Sequence, residues 1–353
     1  MAAIPESVHE HTTATAIIRW YEKQSESPRP HLGASEIGKP CDRDLWYSFR
    51  WTSTKSFPGR VKRLLNRGKR EEDLLLEELR ALGIEVYEVD PETKQQHRFE
   101  ALGGHFGGSC DAIGRGFPEA PKTWAIAEFK THNAKSFGEL VKSGVGRAKP
   151  EHFAQMMIYM GLADLDRAIY LAVNKDNDDI YSEWIHFDKN VFESLMKRAD
   201  RVIGADTPLE RVTDDPTWYQ CKWCNHFGLC HENRVAKKNC RTCAYATPAD
   251  GGWHCGLYDR GLPYAEQVLG CRSHLFIPAL VPYGEPQDSG DGWVLYKHKA
   301  TGQMFANVAE DCEPIDGVSC YTSAELSVIP NAMVGDNMID AIKAQFPGAR
   351  VVA

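Results

Sequence analysis

The sequence predicts an α/β chain: a central mixed sheet flanked by helices, with an appended cysteine-rich module and a small α+β C-terminal extension. Three observations carry this. Between residues 61 and 203, helical and strand periodicities interleave. Seven of the eleven cysteines then fall between Cys221 and Cys271. Beyond residue 280 the chain turns acidic, and short strand and helix patterns resume.

Taken in order, residues 1–30 are polar, a short helix and a loose lead-in. Residues 41–50 and 61–82 read as helices, the second with apolar positions Leu64, Leu65, Leu75, Leu76, Leu79 and Leu82. Strands are expected near 84–89, 97–102, 108–114 and 123–130, around one sheet. Pro150 suits the first position of a helix and Gly161 its C-cap, bracketing 150–160. Strands near 167–174 and 179–187 flank the turn-rich Asn174–Asp179, and a helix over 189–203 leads into the cysteines. In the tail, strands are expected around Trp293–Tyr296 and 303–307 and a helix near 335–345. There is no internal repeat.

At 353 residues and 42% hydrophobic content the chain can bury a substantial core. No apolar run approaches a membrane span and the N-terminus lacks a signal h-region, so a cytoplasmic protein without membrane partners is expected. Close C-x-x-C spacing in such a chain favours metal or cluster ligation over disulfides. The net charge of −8 is uneven: residues 281–353 carry ten acidic and four basic residues, leaving 1–280 at about −2. Two basic clusters stand in that larger part, Arg60, Lys62, Arg63, Arg67, Lys69 and Arg70, then Lys135, Lys142, Arg147 and Lys149. Either alone is a solvated face as readily as a phosphate contact; both flank the candidate site described next.

Asp111 follows the glycine-rich Gly107-Gly108-Ser109-Cys110, and Glu128-Phe129-Lys130 closes an apolar run. Alternation puts Ile126, Glu128 and Lys130 on one strand face and Ala125, Ala127 and Phe129 on the other. Two carboxylates on adjacent strands, with a lysine two residues past the second, make a divalent-metal site with its own proton acceptor. Phosphodiester hydrolysis needs that combination. Glu72 shares a helical stripe with Gly68, Leu75, Leu76 and Leu79, where a carboxylate needs a cation; a salt bridge to Arg67 is the plainer alternative. Gln155 and Tyr159 share a face of helix 150–160 with His152 beside them, suited to a phosphate or to positioning a catalytic side chain.

The series Gly68…Glu72, Gly108…Asp111, Glu128-Phe129-Lys130 and Gln155…Tyr159 resembles the PD-(D/E)XK nuclease superfamily, in particular its RecB-like exonuclease branch, whose last motif is Q-x-x-x-Y. The resemblance spans roughly residues 31–231. Cys110 stands where a proline usually precedes the metal-binding Asp, and Glu72 where many members have histidine. The resemblance implies a restriction-endonuclease-like core with DNA as partner. Asp111, Glu128 and the Phe129 carbonyl would bind Mg2+ or Mn2+, with Glu72 an additional ligand. Lys130 would orient or deprotonate the attacking water, and Gln155 and Tyr159 would hold the scissile strand. Action on DNA ends, as against internal cutting, rests on this branch alone; a non-catalytic DNA-binding scaffold and, more weakly for want of a flavin or nicotinamide fingerprint, an electron-transfer protein are the rivals from other classes. Residues 101–187 are also similar to nucleases of tailed bacteriophages. That implies DNA processing or recombination in a host cytoplasm, with a recombination or replication protein as partner.

Cys221, Cys224 and Cys230 form C-x2-C-x5-C, and Cys41 lies upstream. This resembles the iron–sulfur RecB-like nucleases, including those of CRISPR adaptation. It implies a [4Fe–4S] cluster on these four thiolates, closing a nuclease domain over 31–235. Four thiolates suit zinc as well. Cys240, Cys243, Cys255 and Cys271 read as a structural Zn2+ module over 236–280, with His254 and His274 as spare ligands. Cys110, Cys312 and Cys320 have no partner at ligand spacing and read as buried core residues. Residues 281–353 read as an acidic docking extension.

Overall fold

Two apolar runs set the middle of the molecule, 125–129 and 168–173, which are buried on both faces as a parallel pair under helices must be. The structure, a computed structural model, describes residues 12–24, 27–54, 57–346 and 348–352. Residues 1–11 and 25–26 of the expected lead-in lie outside them.

The chain begins α1 (Thr13–Lys23), β1 (Leu32–Gly33), α2 (Asp42–Phe49), α3 (Gly59–Ala81), β2 (Glu85–Tyr87), β3 (Arg98–Ala101), β4 (Phe106–Ser109), β5 (Ala112–Arg115) and β6 (Ala125–His132). It continues through α4 (Ala134–Ser143), α5 (Val145–Ala148), α6 (Pro150–Ala163), β7 (Arg167–Asn174), β8 (Ile180–His186) and α7 (Lys189–Gly204). The central sheet has the order β2-β5-β6-β7-β8, mixed because β6 and β7 are parallel and the other pairs antiparallel. Leu75, Leu76 and Leu79 of α3 cover one face, against Ala127, Phe129, Ile169 and Leu171. Each such fully buried side chain contributes roughly 1.5–3 kcal/mol. The other face carries Ile126, Tyr170 and Ala172 and packs with Met156, Met157 and Met160 of α6.

Four expectations are corrected. The single strand expected over 108–114 is two. β4 belongs to a second sheet, β1-β4-β3, and β5 to the central one, so the chain changes sheets at Cys110–Asp111. Gly107 and Gly108 allow this path: a Cβ on the first would lie 2.1 Å from the Phe99 carbonyl oxygen, and one on the second 2.6 Å from the Tyr159 hydroxyl. Leu64, Leu65 and Leu82 are 41%, 54% and 75% exposed, because only part of α3 overlies the sheet. Gly161 is not a cap; α6 runs on to Ala163 and ends at Asp164, in the left-handed region with φ 54°. A Cβ at Gly161 would stand 2.4 Å from the Phe192 ring, so its role is to let α7 approach. Finally, Cys312 and Cys320 are half-buried, not core residues.

The rest comprises α8 (Tyr219–Lys222), α9 (Phe227–His231), β9 (Ala246–Ala249), β10 (Gly252–Cys255), β11 (Arg260–Leu262) and α10 (Tyr264–Leu269). The tail adds β12 (Gly284–Gly290), β13 (Trp293–His298), β14 (Met304–Val308), β15 (Ser319–Thr322), α11 (Ser323–Leu326) and α12 (Asn337–Gln345). One hydrophobic cluster runs from Trp46 and Ile126 through Trp253 to Tyr296 and Tyr321, so these parts share a core. The buried Arg50 and Arg241 guanidiniums lie 4.9 and 4.7 Å from the Trp253 ring centroid. They donate to backbone carbonyls, Arg50 to Ala246 at 3.1 Å and Arg241 to Phe49 at 3.1 Å, which satisfies groups that burial would otherwise penalise. No helix among the described residues is long and apolar enough to cross a membrane.

Candidate active site

The change of sheets after β4 leaves Asp111 beside the middle of β6. Its Oδ2 accepts the Phe129 backbone N–H at 2.7 Å. Alternation along β6 turns Glu128 and Lys130 to the α6 face, and Lys130 Nζ donates to Glu128 Oε1. The same ammonium donates to the Phe129 carbonyl at 3.0 Å and lies 3.5 Å from Asp111 Oδ2. Three expected metal-binding groups thus converge on one cationic point. Glu128 is fully buried, and its Oε2 has no hydrogen-bond partner among the described residues. Burial raises its carboxyl to about 8; Lys130 opposes this rise, and Asp111 and Glu72 add to it. Burial pulls the Lys130 ammonium down, but Glu128 and Asp111 more than offset this and hold it charged.

Glu72, on α3, reaches the same space from the far side of the sheet. Burial raises its carboxyl, and Asp111 is the next cause. Arg67, the alternative partner for Glu72, instead donates to the Lys175 carbonyl at 3.0 Å and ties α3 to the β7–β8 turn. Gln155 Nε2 donates to the Tyr159 hydroxyl at 3.3 Å; both are buried, and the ring lies over Gly108. Burial pushes the Tyr159 phenol up, so it is a neutral hydrogen-bonding group.

A cavity of about 520 Å³ opens beside this centre. One wall carries Glu71, Glu72, Leu64, Leu65 and Leu75 from α3; the other carries Lys130, His132, Ser136, Lys149, His152 and Lys175. The sequence reading had Lys149 in a basic cluster and His152 beside Gln155, but missed His132, Ser136, Tyr170 and Lys175. The Tyr170 hydroxyl lies 3.0 Å from His132 Nε2 and 2.8 Å from His152 Nδ1. α4, which supplies Ser136, was also missed, although Asn133 caps its start and Gly144, at φ 72°, its end.

Cys41, Cys221, Cys224 and Cys230 all line a second cavity of about 250 Å³, where α2 meets α8 and α9. Cys240, Cys243, Cys255 and Cys271 line a third of about 200 Å³. Burial first, and then neighbouring thiols, push Cys240 up to about 12; burial and the Asp44 carboxylate do the same for Cys224. Neither set is closed into a finished cage: no group of three or more His, Cys, Asp or Glu side chains among the described residues is set to hold a metal ion. The spare candidates His254 and His274 are engaged elsewhere, with Asp259 at 3.2 Å and the Asn239 carbonyl at 2.9 Å.

No family model and no curated protein matches this sequence. Among solved structures, the chain is similar to an alkaline exonuclease (LHK-Exo) from Laribacter hongkongensis, at 18% identity and a TM-score of 0.36 over 50% of this chain and 87% of that one. LHK-Exo in complex with dAMP gives 17% identity and a TM-score of 0.37 over 53% and 89%. A phage related exonuclease from Haemophilus somnus 129PT gives 15% and 0.36 over 49% and 91%. Likeness of this degree speaks to neither chemistry nor substrate.

Proposed function

We propose that this chain is a divalent-metal-dependent deoxyribonuclease that hydrolyses phosphodiester bonds of linear DNA from its ends. The observation that carries this reading is the convergence of Asp111, Glu128 and the Phe129 carbonyl on one ammonium, beside a buried carboxylate oxygen without a partner. Oxygen donors of this kind fit Mg2+ or Mn2+, with Glu72 as a further ligand. Such an ion, when bound, offsets charge on the phosphate and makes water more acidic.

The chain's own groups do the rest. Lys130 Nζ, held as an ammonium, donates to and orients the attacking water; its raised pKa favours this over the role of proton acceptor. Gln155 and Tyr159 hold the strand against β4, with Tyr159 donating as a neutral phenol. Action on ends and a setting in phage or bacterial DNA recombination or replication are supported by the sequence resemblance alone. The two cysteine sets fit a [4Fe–4S] cluster or Zn2+ at Cys41, Cys221, Cys224 and Cys230, and Zn2+ at Cys240, Cys243, Cys255 and Cys271. What supports each is that its four cysteines line one cavity, Cys41 joining the C-x2-C-x5-C triplet from far upstream in the first.

The test is digestion of end-labelled linear duplex and single-stranded DNA, beside closed circles, with Mg2+ or Mn2+ and with EDTA. Loss of label from linear DNA by wild type, and not by Lys130→Ala, is expected. Cutting of circles would make it an endonuclease; binding without cutting would leave a scaffold.

A further inference from the structure

The wall of the active-site cavity facing α3 contains a hydrogen-bond chain that the hydrolytic centre does not use. Lys149 Nζ lies 2.6 Å from Ser136 Oγ, and Ser136 Oγ lies 3.1 Å from His132 Nδ1. His132 Nε2 lies 3.0 Å from the Tyr170 hydroxyl, which lies 2.8 Å from His152 Nδ1. An ammonium can only donate, so the Lys149–Ser136 bond has a fixed direction, while the later bonds take theirs from the His132 tautomer. Lys149 donates to Ser136; with His132 in its Nε2–H tautomer, the Ser136 hydroxyl donates to His132 Nδ1. In that tautomer the His132 proton sits on Nε2 and is donated to Tyr170. Tyr170, with one proton to give, donates to His152 Nδ1. The proton of His152 is left on Nε2, which meets no acceptor among the described residues and is not buried. His152 lines the cavity, so in this tautomer the chain delivers one oriented N–H to its wall.

Charge on this wall has the matching sign. Lys149 is half-buried and pairs with no carboxylate among the described residues; Ser136 is its hydrogen-bond partner. The carboxylate that Lys175 meets among the described residues is Asp176, at 4.0 Å. Burial and the neighbouring lysines keep both imidazoles well below the usual histidine range, at about 4 for His132 and about 3 for His152, so each holds a single proton at neutral pH. The carboxylates Glu71 and Glu72 stand on the opposite wall. A cavity polarised in this way repels an anion from one side and offers donors on the other.

We propose that this wall is an anion subsite that takes a phosphodiester group of the DNA strand neighbouring the scissile one, with His152 Nε2–H and the Lys149 and Lys175 ammonium groups as its donors. Tyr170 and His132 are positioning residues that act through the His152 tautomer. This rests on the nuclease reading for its substrate, yet it predicts binding behaviour that does not depend on cleavage. Each phosphate contact displaces counterions, so log K against log salt steepens by about 0.7–0.9 per contact.

The experiment measures anisotropy of a fluorescent duplex and a single strand in EDTA across a salt series, with KM and kcat for the same DNA in Mg2+. Lys149→Ala is expected to lower the salt slope by close to one contact. His152→Ala is expected to raise KM about tenfold with kcat within a few-fold, and His152→Gln, which keeps an N–H donor, to recover much of it. Tyr170→Phe, folded by its melting curve, is expected to imitate His152→Ala although its hydroxyl is committed to the two imidazoles. If wild type cuts DNA while Lys149→Ala and His152→Ala keep the wild-type slope and KM, the subsite is wrong and the nuclease reading stands. If wild type binds with these slope changes but never cuts, the subsite stands and the nuclease reading is lost. A wild type that does not bind DNA overturns both.

Discussion

Gly108→Ala is the substitution in which fold and site are most tightly joined. The added Cβ would lie 2.6 Å from the Tyr159 hydroxyl oxygen and 3.2 Å from Cε1, so reaching ordinary contact near 3.4 Å takes a shift of about 0.8 Å. Tyr159 is 2% exposed and held by Gln155 and the Phe99 ring, 5.7 Å away, so the shift strains a packed core. Overpacking costs about 1–3 kcal/mol and loss of the Gln155 bond about 1 kcal/mol, while replacing a strand glycine returns about 0.5–1 kcal/mol. The net is about 1–3 kcal/mol, or a fall in Tm of roughly 1–4 °C for a chain of this length. A displacement near 1 Å in a positioning residue lowers kcat on the order of 10²-fold. Melting curves and DNA-cleavage rates read both effects. The double variant Gly108→Ala with Tyr159→Phe, which deletes the clashing oxygen, is expected to match Tyr159→Phe in Tm without recovering activity. A Gly108→Ala protein as stable and active as wild type, or a double variant that recovers nothing, would refute the steric argument.

Three further outcomes are expected. Burial holds the folded Glu128 carboxyl above the usual carboxylate range, so its share of stability is present at acidic pH and lost as pH rises through its folded pKa. In EDTA the urea midpoint should fall between pH 5 and pH 8, and much of that fall should be absent in Glu128→Gln. Gly161→Ala pushes into the Phe192 ring and should lose about 1–3 kcal/mol, measured by denaturant midpoint, part of it recovered by Phe192→Leu. Protein purified anaerobically should carry bound metal by elemental analysis; Cys221→Ser should empty the first cysteine cavity and leave the second loaded, and Cys240→Ser the reverse.

The strand Glu128–Lys130 was legible because period-two alternation alone puts both charges on one face. Glu72 was legible from its helical stripe. Leu64, Leu65 and Leu82, apolar positions of the same helix, are exposed, because periodicity says which side of a helix is apolar but not how far the sheet beneath it extends. Asp111 could be named from its glycine-rich approach, yet the reason it reaches Phe129, a change of sheets, leaves no period to read. The Ser136–His132–Tyr170–His152 wall was invisible for a deeper reason. Its members come from α4, β6, β7 and α6, and their contacts exist only once β6 and β7 pair in parallel. The two cysteine sets lie between: spacing grouped them, and the fold brings each group around one cavity without closing it.

The most direct measurement is Mn2+ binding, followed by electron paramagnetic resonance on wild type, Asp111→Asn and Glu128→Gln, with the same samples scored for release of label from linear DNA. The account predicts saturable binding and cleavage by wild type, with both lost or weakened at least tenfold in each variant. Variants that bind Mn2+ and cut as wild type does, or a wild type that cuts in EDTA, would contradict it.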